Sequence, residues 1–273
     1  MGRALSPLRY PGGKGQMYNY IVELLNNNDL IGSRYIEPFA GGAGVALRLL
    51  QDGYVRSITI NDFDRSIYSF WHSILNTTDE FIRRIHDTDI TINEWHVQRN
   101  VQLNKETASL LDLGFSTFFL NRTNRSGILK AGPIGGLNQD GKYKLDCRYN
   151  KERLVNFILQ ISEQRNNIEI SNIDANEFII NANKEESFWF IDPPYYKRGK
   201  ELYVNFFNHD DHQALSETIE VNLERIPFII TYDICDSIYG FYKHLNCEVV
   251  SLNYSVQEKR KSGEYMFHKN ILV

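Results

Sequence analysis

The sequence predicts an α/β protein: a domain built on a parallel sheet, interrupted by an insertion of different character. Three observations predict it. Short β-branched or aromatic runs alternate with longer helical patterns over much of the 273 residues. A Gly-rich turn, Gly41 to Gly44, falls between a strand pattern and a helix pattern. Between Asp79 and Leu154 the alternation gives way to helical patterns and then a Gly-rich polar stretch, and afterwards it resumes.

In order, Arg34 to Phe39 reads as a strand running into a turn, and Gly41 to Gly44 opens a helix through Leu47 and Leu50 that ends near Gly53. Ser57 to Asp62 is the next strand, followed by a helix over Ser66 to Leu75. In the insertion, Asp140-Gly141 before Tyr143-Lys144-Leu145 predicts a hairpin turn. Ile168 to Ile170 is then a strand, and Asp174 leads into a short helix through Phe178 and Ile179. Ser187 to Ile191 is a strand whose Phe188 to Ile191 run is continuously apolar, the pattern of a strand buried on both faces. A helix over His209 to Leu223, with Asp211 as its cap, and a strand over Pro227 to Thr231 follow. The helix Ser237 to Leu245 and two closing strands, Glu248 to Tyr254 and Tyr265 to Val273, complete the pattern, with Lys259-Arg260-Lys261 in the loop between them. The sheet domain is therefore expected over 1–76 and 155–273, and the insertion over 77–154.

The bulk numbers exclude several classes. Hydrophobic residues at 42% and charged residues at 23% argue against wholesale disorder. No apolar run approaches the ~18 residues that span a bilayer, and Met1 to Pro7 lacks the apolar core of a signal peptide. Cys147, Cys235 and Cys247 show no metal-binding or disulfide spacing and suit a reducing compartment, so a cytoplasmic protein without a metal is expected. The formal charge of −4 points to no polyanionic partner, but its distribution does. From Asn121 to Arg153, eight basic residues face three acidic ones, an excess of +5.

Two motifs carry chemistry. Glu37-Pro38-Phe39-Ala40-Gly41-Gly42-Ala43-Gly44 links strand to helix, and Asp62 closes the next strand about 20 residues later. An acid at that place accepts ribose hydroxyls. Glu37 would repel a pyrophosphate and suits a cationic amino group, which favours S-adenosylmethionine over NAD. Asp192-Pro193-Pro194-Tyr195 follows the apolar strand directly. Two prolines make a stiff loop with free carbonyls. An exocyclic amine must lose a proton as it gains a methyl group. Asp192 and the Pro193 carbonyl are suited to accept its two N–H bonds, and Tyr195 to stack on a flipped base.

With these pieces the sequence resembles the Dam-like, D12 class of N6-adenine DNA methyltransferases. The matching pieces are Arg9-Tyr10-Pro11-Gly12-Gly13-Lys14, Glu37 to Gly44, Asn61-Asp62, Asn121-Arg122 with Ser126-Gly127, and Asp192 to Tyr195, in the family's order. The resemblance implies a Rossmann-like S-adenosylmethionine-dependent sheet domain with an inserted, mainly helical plus hairpin target-recognition domain. It implies cofactor contacts from Tyr10, Lys14, Glu37, Phe39, Ala40, Gly41, Gly44, Asp62, Asp174 and Asp192. It places DNA contacts on Arg9, Arg122, Asn124, Arg125, Lys130, Lys142, Lys144 and Arg148, with Arg122 and Arg125 as leading candidates for guanine or phosphate. For Arg122 a salt bridge inside the insertion is an equal alternative. The insertion does not match GATC-reading sequences, so no target site carries over. The implied protein is a bacterial or phage-encoded monomer acting on double-stranded DNA, with a cognate restriction nuclease as a candidate partner. An RNA adenine methyltransferase and, less well, a protein glutamine methyltransferase are the alternatives.

Overall fold

The computed structural model describes residues 6–9, 14–197, 207–256 and 258–273, with residues 251–262 described by backbone pairing alone. In chain order the elements are α1 (Tyr18–Asn27), β1 (Arg34–Glu37), α2 (Gly44–Gln51), β2 (Ser57–Asn61), α3 (Arg65–Asn76), α4 (Thr78–Asp87), α5 (Ile92–Leu103) and α6 (Leu110–Thr123). Then come α7 (Lys151–Ser162), β3 (Ile168–Ser171), α8 (Ala175–Asn181), β4 (Ser187–Ile191), α9 (His209–Asn222), β5 (Phe228–Asp233), α10 (Asp236–Tyr242), β6 (Asn246–Val256) and β7 (Glu258–Lys269). They fall into two compact units. One holds Lys14–Phe63 and Asn167–Val273; the other holds Asp64–Asn166 with residues 6–9.

The first unit is a seven-stranded sheet in the order β3-β2-β1-β4-β5-β7-β6. The first five strands in that order run parallel, and β7 enters antiparallel between β5 and β6. All five residues of β4 are buried, as its apolar run requires at the sheet's centre. On one face Trp189 and Ile36 pack with Leu215, Ile219 and Phe178 under α8 and α9. On the other, the Tyr35 ring stacks on Phe190, with centroids 6.4 Å apart. Strand order reverses between β1 and β4, which makes the crevice outside their carboxyl ends the ligand position of such sheets.

Two boundaries differ from expectation for local reasons. Asn208, rather than Asp211, caps α9, and Asp211 completes a capping box by accepting from the Asn208 N–H. Strand β7 spans Glu258–Lys269, so Lys259 to Lys261 pair in a strand instead of forming a loop. It ends at Lys269 because that residue pairs with Phe228, the first of β5, leaving no partner beyond.

The second unit is helical and wider than 77–154, because α3 packs against α6 and α4 against α7. Phe70, Phe81 and Phe118 form its aromatic centre, and Trp71 and Trp95 are part of its core. The hairpin does not form. Residues 125–150 follow successive turns whose one ladder pair is the bridge Asn124–Pro133. The Gln139 side chain supplies what a ladder would: it donates to the Ile134 and Gly136 carbonyls and accepts from Leu145 N. Gly127, at φ +76°, lies so close to Arg9 that an added Cβ would sit 2.2 Å from the Arg9 carbonyl oxygen.

Candidate active site

Four acidic residues predicted or found at this site sit at carboxyl ends of parallel strands. Glu37 ends β1, Asp62 follows β2, Asp192 follows β4 and Asp233 ends β5. Their common edge is a consequence of parallel topology, not of sequence proximity.

The Gly-rich turn is built by backbone bonds. Ala40 N donates to the Asn61 carbonyl and Ala43 N to the Ala40 carbonyl, which closes the turn before α2. Gly41 is left-handed, at φ +46°, and its N–H donates to Asp62 Oδ2 at 2.9 Å. Ala43 is also left-handed, at φ +43°, a conformation that costs a residue with a Cβ and that clusters at ligand sites. Gly44 begins α2, and Phe39, half-buried, meets the Phe207 ring edge-on at 5.8 Å. Asn61 Nδ2 donates to the Pro38 and Ile173 carbonyls, tying this turn to the one that precedes α8. Asp174 there is exposed and caps α8 through Asn176 N and Glu177 N.

Glu37 is 5% exposed. Burial pushes its carboxyl up to about 8, and the neighbouring Asp192 charge adds to the rise.

Asp192 lies at the centre of a second, ionic cluster. Its Oδ1 accepts from Thr231 Oγ1 at 2.7 Å and lies 2.9 Å from Lys14 Nζ. Lys14 Nζ donates to the Tyr195 hydroxyl at 2.6 Å and is 3.3 Å from Glu264 Oε2. The Tyr195 hydroxyl donates in turn to Glu264 Oε1 at 2.5 Å. The Lys14 and Glu264 side chains are each 3% exposed, while Asp192 keeps 19%, its opening to solvent. Burial lifts the Asp192 carboxyl above its ordinary range; Lys14 draws it down and Glu264 pushes it further up. The backbone beyond Tyr195 is pinned by Asp233, which accepts from Tyr196 N and Lys197 N at 2.9 and 3.0 Å. Pro193 is buried and Pro194 half-buried. Tyr195 is 7% exposed with Lys14 Nζ 4.9 Å from its ring centroid, so one ring face is already occupied.

Thr231, Asp233 and Glu264 were not singled out by sequence. Glu264 had a signal: it directly precedes Tyr265-Met266-Phe267 in a strand pattern, and a buried acid there requires a cation. Lys14 is drawn from a cofactor motif into this carboxylate cluster. Tyr10 lies outside the described residues. Among the described residues, no group of His, Cys, Asp and Glu is arranged to hold a metal ion.

In the helical unit, burial pushes the Arg122 guanidinium down to about 10, with Arg9, Arg153 and Arg148 repelling it. Arg122 Nε has no partner among the described residues, and no carboxylate neutralises the group. Among the described residues Arg122 thus stands close to Arg9, Arg148 and Arg153 with no carboxylate in ion-pairing distance. Asn124 is a correction. It is fully buried, accepts from Trp95 Nε1 and donates to the Ile128 and Leu129 carbonyls, so its side chain is committed to the fold. Arg9 Nη1 donates to the Asn124 carbonyl. Arg125, Lys130, Lys142, Lys144 and Arg148 are exposed.

The model of the D12 class N6 adenine-specific DNA methyltransferase family matches residues 10–261. The Type II methyltransferase M.MjaIII of Methanocaldococcus jannaschii is 25% identical over 282 residues, covering 94% of this chain and 96% of its own length. Among solved structures, precorrin 8W decarboxylase of Methanobacterium thermoautotrophicum aligns at a TM-score of 0.41 and 12% identity, covering 96% of this chain and 93% of its own. The SAM-dependent O-methyltransferase TM0748 of Thermotoga maritima aligns at 0.40 and 9%, covering 95% and 66%. These two likenesses are too loose to carry any argument.

Proposed function

The chain belongs to the D12 class of N6 adenine-specific DNA methyltransferases, and we propose that Asp192 and the Pro193 carbonyl perform its chemistry on an adenine flipped out of duplex DNA at a specific sequence. The observation that carries this is the fixed Asp192 carboxylate, held by Thr231 and Lys14 beside the switch point and still partly open. Asp192 and the Pro193 carbonyl accept the two N6–H bonds, which turns the amine's lone pair away from the ring. When bound, S-adenosylmethionine supplies an electrophilic methyl group on a sulfonium sulfur. Glu37 receives its amino group, Asp62 its ribose hydroxyls, and the left-handed turn at Gly41 lets the backbone approach closely. Arg9, Arg122 and Arg148, with the exposed basic residues of the helical unit, take DNA phosphates or guanine edges. We assign target recognition to that unit.

The reading includes a monomer acting in the cytoplasm on bacterial or phage DNA; the DNA substrate supports that location. No described helix is long and apolar enough to cross a membrane. The Type II name of the M.MjaIII relative supports a cognate restriction nuclease as partner. Sequencing genomic DNA from cells expressing the chain tests the reading as a whole. N6-methyladenine confined to one short duplex motif is expected; methylation of RNA alone would overturn it.

Two predictions concern the cofactor. Replacing Asp62 by alanine removes charge-assisted hydrogen bonds worth ~1.5–3 kcal/mol, so affinity for S-adenosylmethionine should fall by roughly 10–100-fold in calorimetric titration. Unchanged affinity would remove Asp62 from the ribose. The second follows from Glu37, neutral in the empty protein below about pH 8. A bound ammonium favours its ionised form, so at pH 7 binding should release close to one proton. The sign fixes the trend: affinity rises as pH increases from 6 towards 8. Titrations in buffers of different ionisation enthalpy measure the proton, and Glu37→Gln should abolish it.

A further inference from the structure

Methyl transfer leaves a proton to dispose of, and the buried cluster behind Asp192 provides a path for it. As the N6–CH3 bond forms and the sulfur–methyl bond breaks, N6 becomes a positively charged secondary amine with one proton too many. Asp192 is the base in reach, and although its side chain keeps 19% exposure, a protonated Asp192 has to be reset before another turnover. Behind it three groups stand in series: Asp192 Oδ1 to Lys14 Nζ at 2.9 Å, Lys14 Nζ to Tyr195 Oη at 2.6 Å, and Tyr195 Oη to Glu264 Oε1 at 2.5 Å.

We propose that Lys14, Tyr195 and Glu264 form a proton relay that carries the N6 proton from Asp192 to the Glu264 carboxylate. The inference rests on the functional reading above, in which Asp192 faces the amine. Each link is a donor facing an acceptor at hydrogen-bonding distance. The N6 proton passes to the Asp192 carboxylate. Lys14 gives one of its protons to the Tyr195 oxygen as the Tyr195 hydroxyl proton moves to Glu264 Oε1, and the neutral amine this leaves, turning about its Cε–Nζ bond, takes the Asp192 O–H proton. Lys14 ends as an ammonium and Tyr195 as a phenol, both as they began. The balance is one proton gained by Glu264 and one lost by the amine.

The cluster is built for this rather than for stability alone. One lysine stands between two carboxylates in a site almost closed to water, where removing charge from solvent is costly and a simple ion pair needs only one acid. The groups facing Asp192 are Lys14 from the N-terminal segment, Glu37 from β1, Thr231 from β5 and Glu264 from β7. Lys14 and Thr231 bond Asp192 directly, and Glu264 is joined to it through Lys14 and Tyr195 by an unbroken series of exchangeable protons.

Glu264→Gln keeps the shape and an accepting oxygen but cannot take the proton, and Tyr195→Phe keeps the ring and both charges but breaks the middle link. Each should lower the single-turnover methylation rate by roughly 10–100-fold, with the affinities for S-adenosylmethionine and for duplex DNA within about twofold of wild type. Glu264→Gln should also move the acid limb of the rate profile to lower pH, because the charge that raises Asp192 is gone. The double variant should be no slower than the slower single, since both cut one path. Wild-type rates in the singles, or effects that multiply in the double, would overturn the relay. If Glu264→Gln fails to fold, as judged by thermal melting, Tyr195→Phe decides alone. Failure of the functional reading looks different: the wild-type protein itself would methylate no adenine, and the relay would fall with it.

Discussion

Asp192→Ala should reduce methyl transfer by roughly three orders of magnitude or more while affinity for S-adenosylmethionine changes little. The size follows from what is removed: the acceptor that orients the amine and the base that takes its proton. Positioned bases contribute ~10²–10⁴-fold, and fixed electrostatic partners of a developing charge ~10²–10³-fold. The two roles share one side chain, so they do not multiply fully. The cofactor assignment rests on Glu37, Asp62 and the turn at Gly41, whose internal bonds do not pass through Asp192. Folding should survive, because Lys14 keeps Glu264 and Tyr195 as partners. The measurement is a single-turnover assay with labelled methyl donor, paired with calorimetric titration. An active alanine variant would sink the mechanism.

Lys14→Met should have the largest effect on stability. It leaves Asp192 and Glu264 in one buried site without the cation between them. Breaking a buried ion pair from one side costs about 3–5 kcal/mol, and methionine fills the stem's volume, so packing loss is small. The pH dependence identifies the cause. Without Lys14 the Asp192 carboxyl, already lifted by burial, rises further above its unfolded value. The folded state then holds a proton that the unfolded state has released, so stability falls as pH rises from the unfolded carboxylate range through the raised folded one. The melting deficit relative to wild type should therefore be larger at pH 8 than at pH 5. An equal deficit at both would mean that Lys14 matters for packing and not for charge.

Much of the sheet, and the place of its motif-bearing loops, was legible in the chain because both are local. Phe188 to Ile191 is apolar without a break, so β4 was recognisable as central, and the loop that follows it is contiguous in sequence. Glu37, Gly41 and Asp62 were legible through strand–turn–helix spacing. The lower rim of the site was not. Thr231 and Glu264 reach Asp192 and its partners only through the register of β5 and β7, and Lys14 joins them from far upstream. Periodicity identifies a strand but not its neighbour. The hairpin failed for a related reason: Asp140-Gly141 is a strong local signal, but Gln139 satisfies the surrounding carbonyls from within the loop. Asn124 stands in the basic stretch and looked available until Trp95 and two carbonyls claimed it.

The insertion of β7 between β5 and β6 has a consequence for how the enzyme comes into being. Strand β6 is made first but touches the rest of the sheet only through β7, so it waits unpaired at the growing end of the chain. Glu264 is made long after its partner Lys14. Contacts so distant in sequence close late and slowly, and domains made by the ribosome consolidate from the N-terminus. The Lys14 ammonium thus acquires its second carboxylate only once β7 has been made. A ribosome that stalls before β7 releases a chain that has Asp192 and the Gly-rich turn but lacks Glu264.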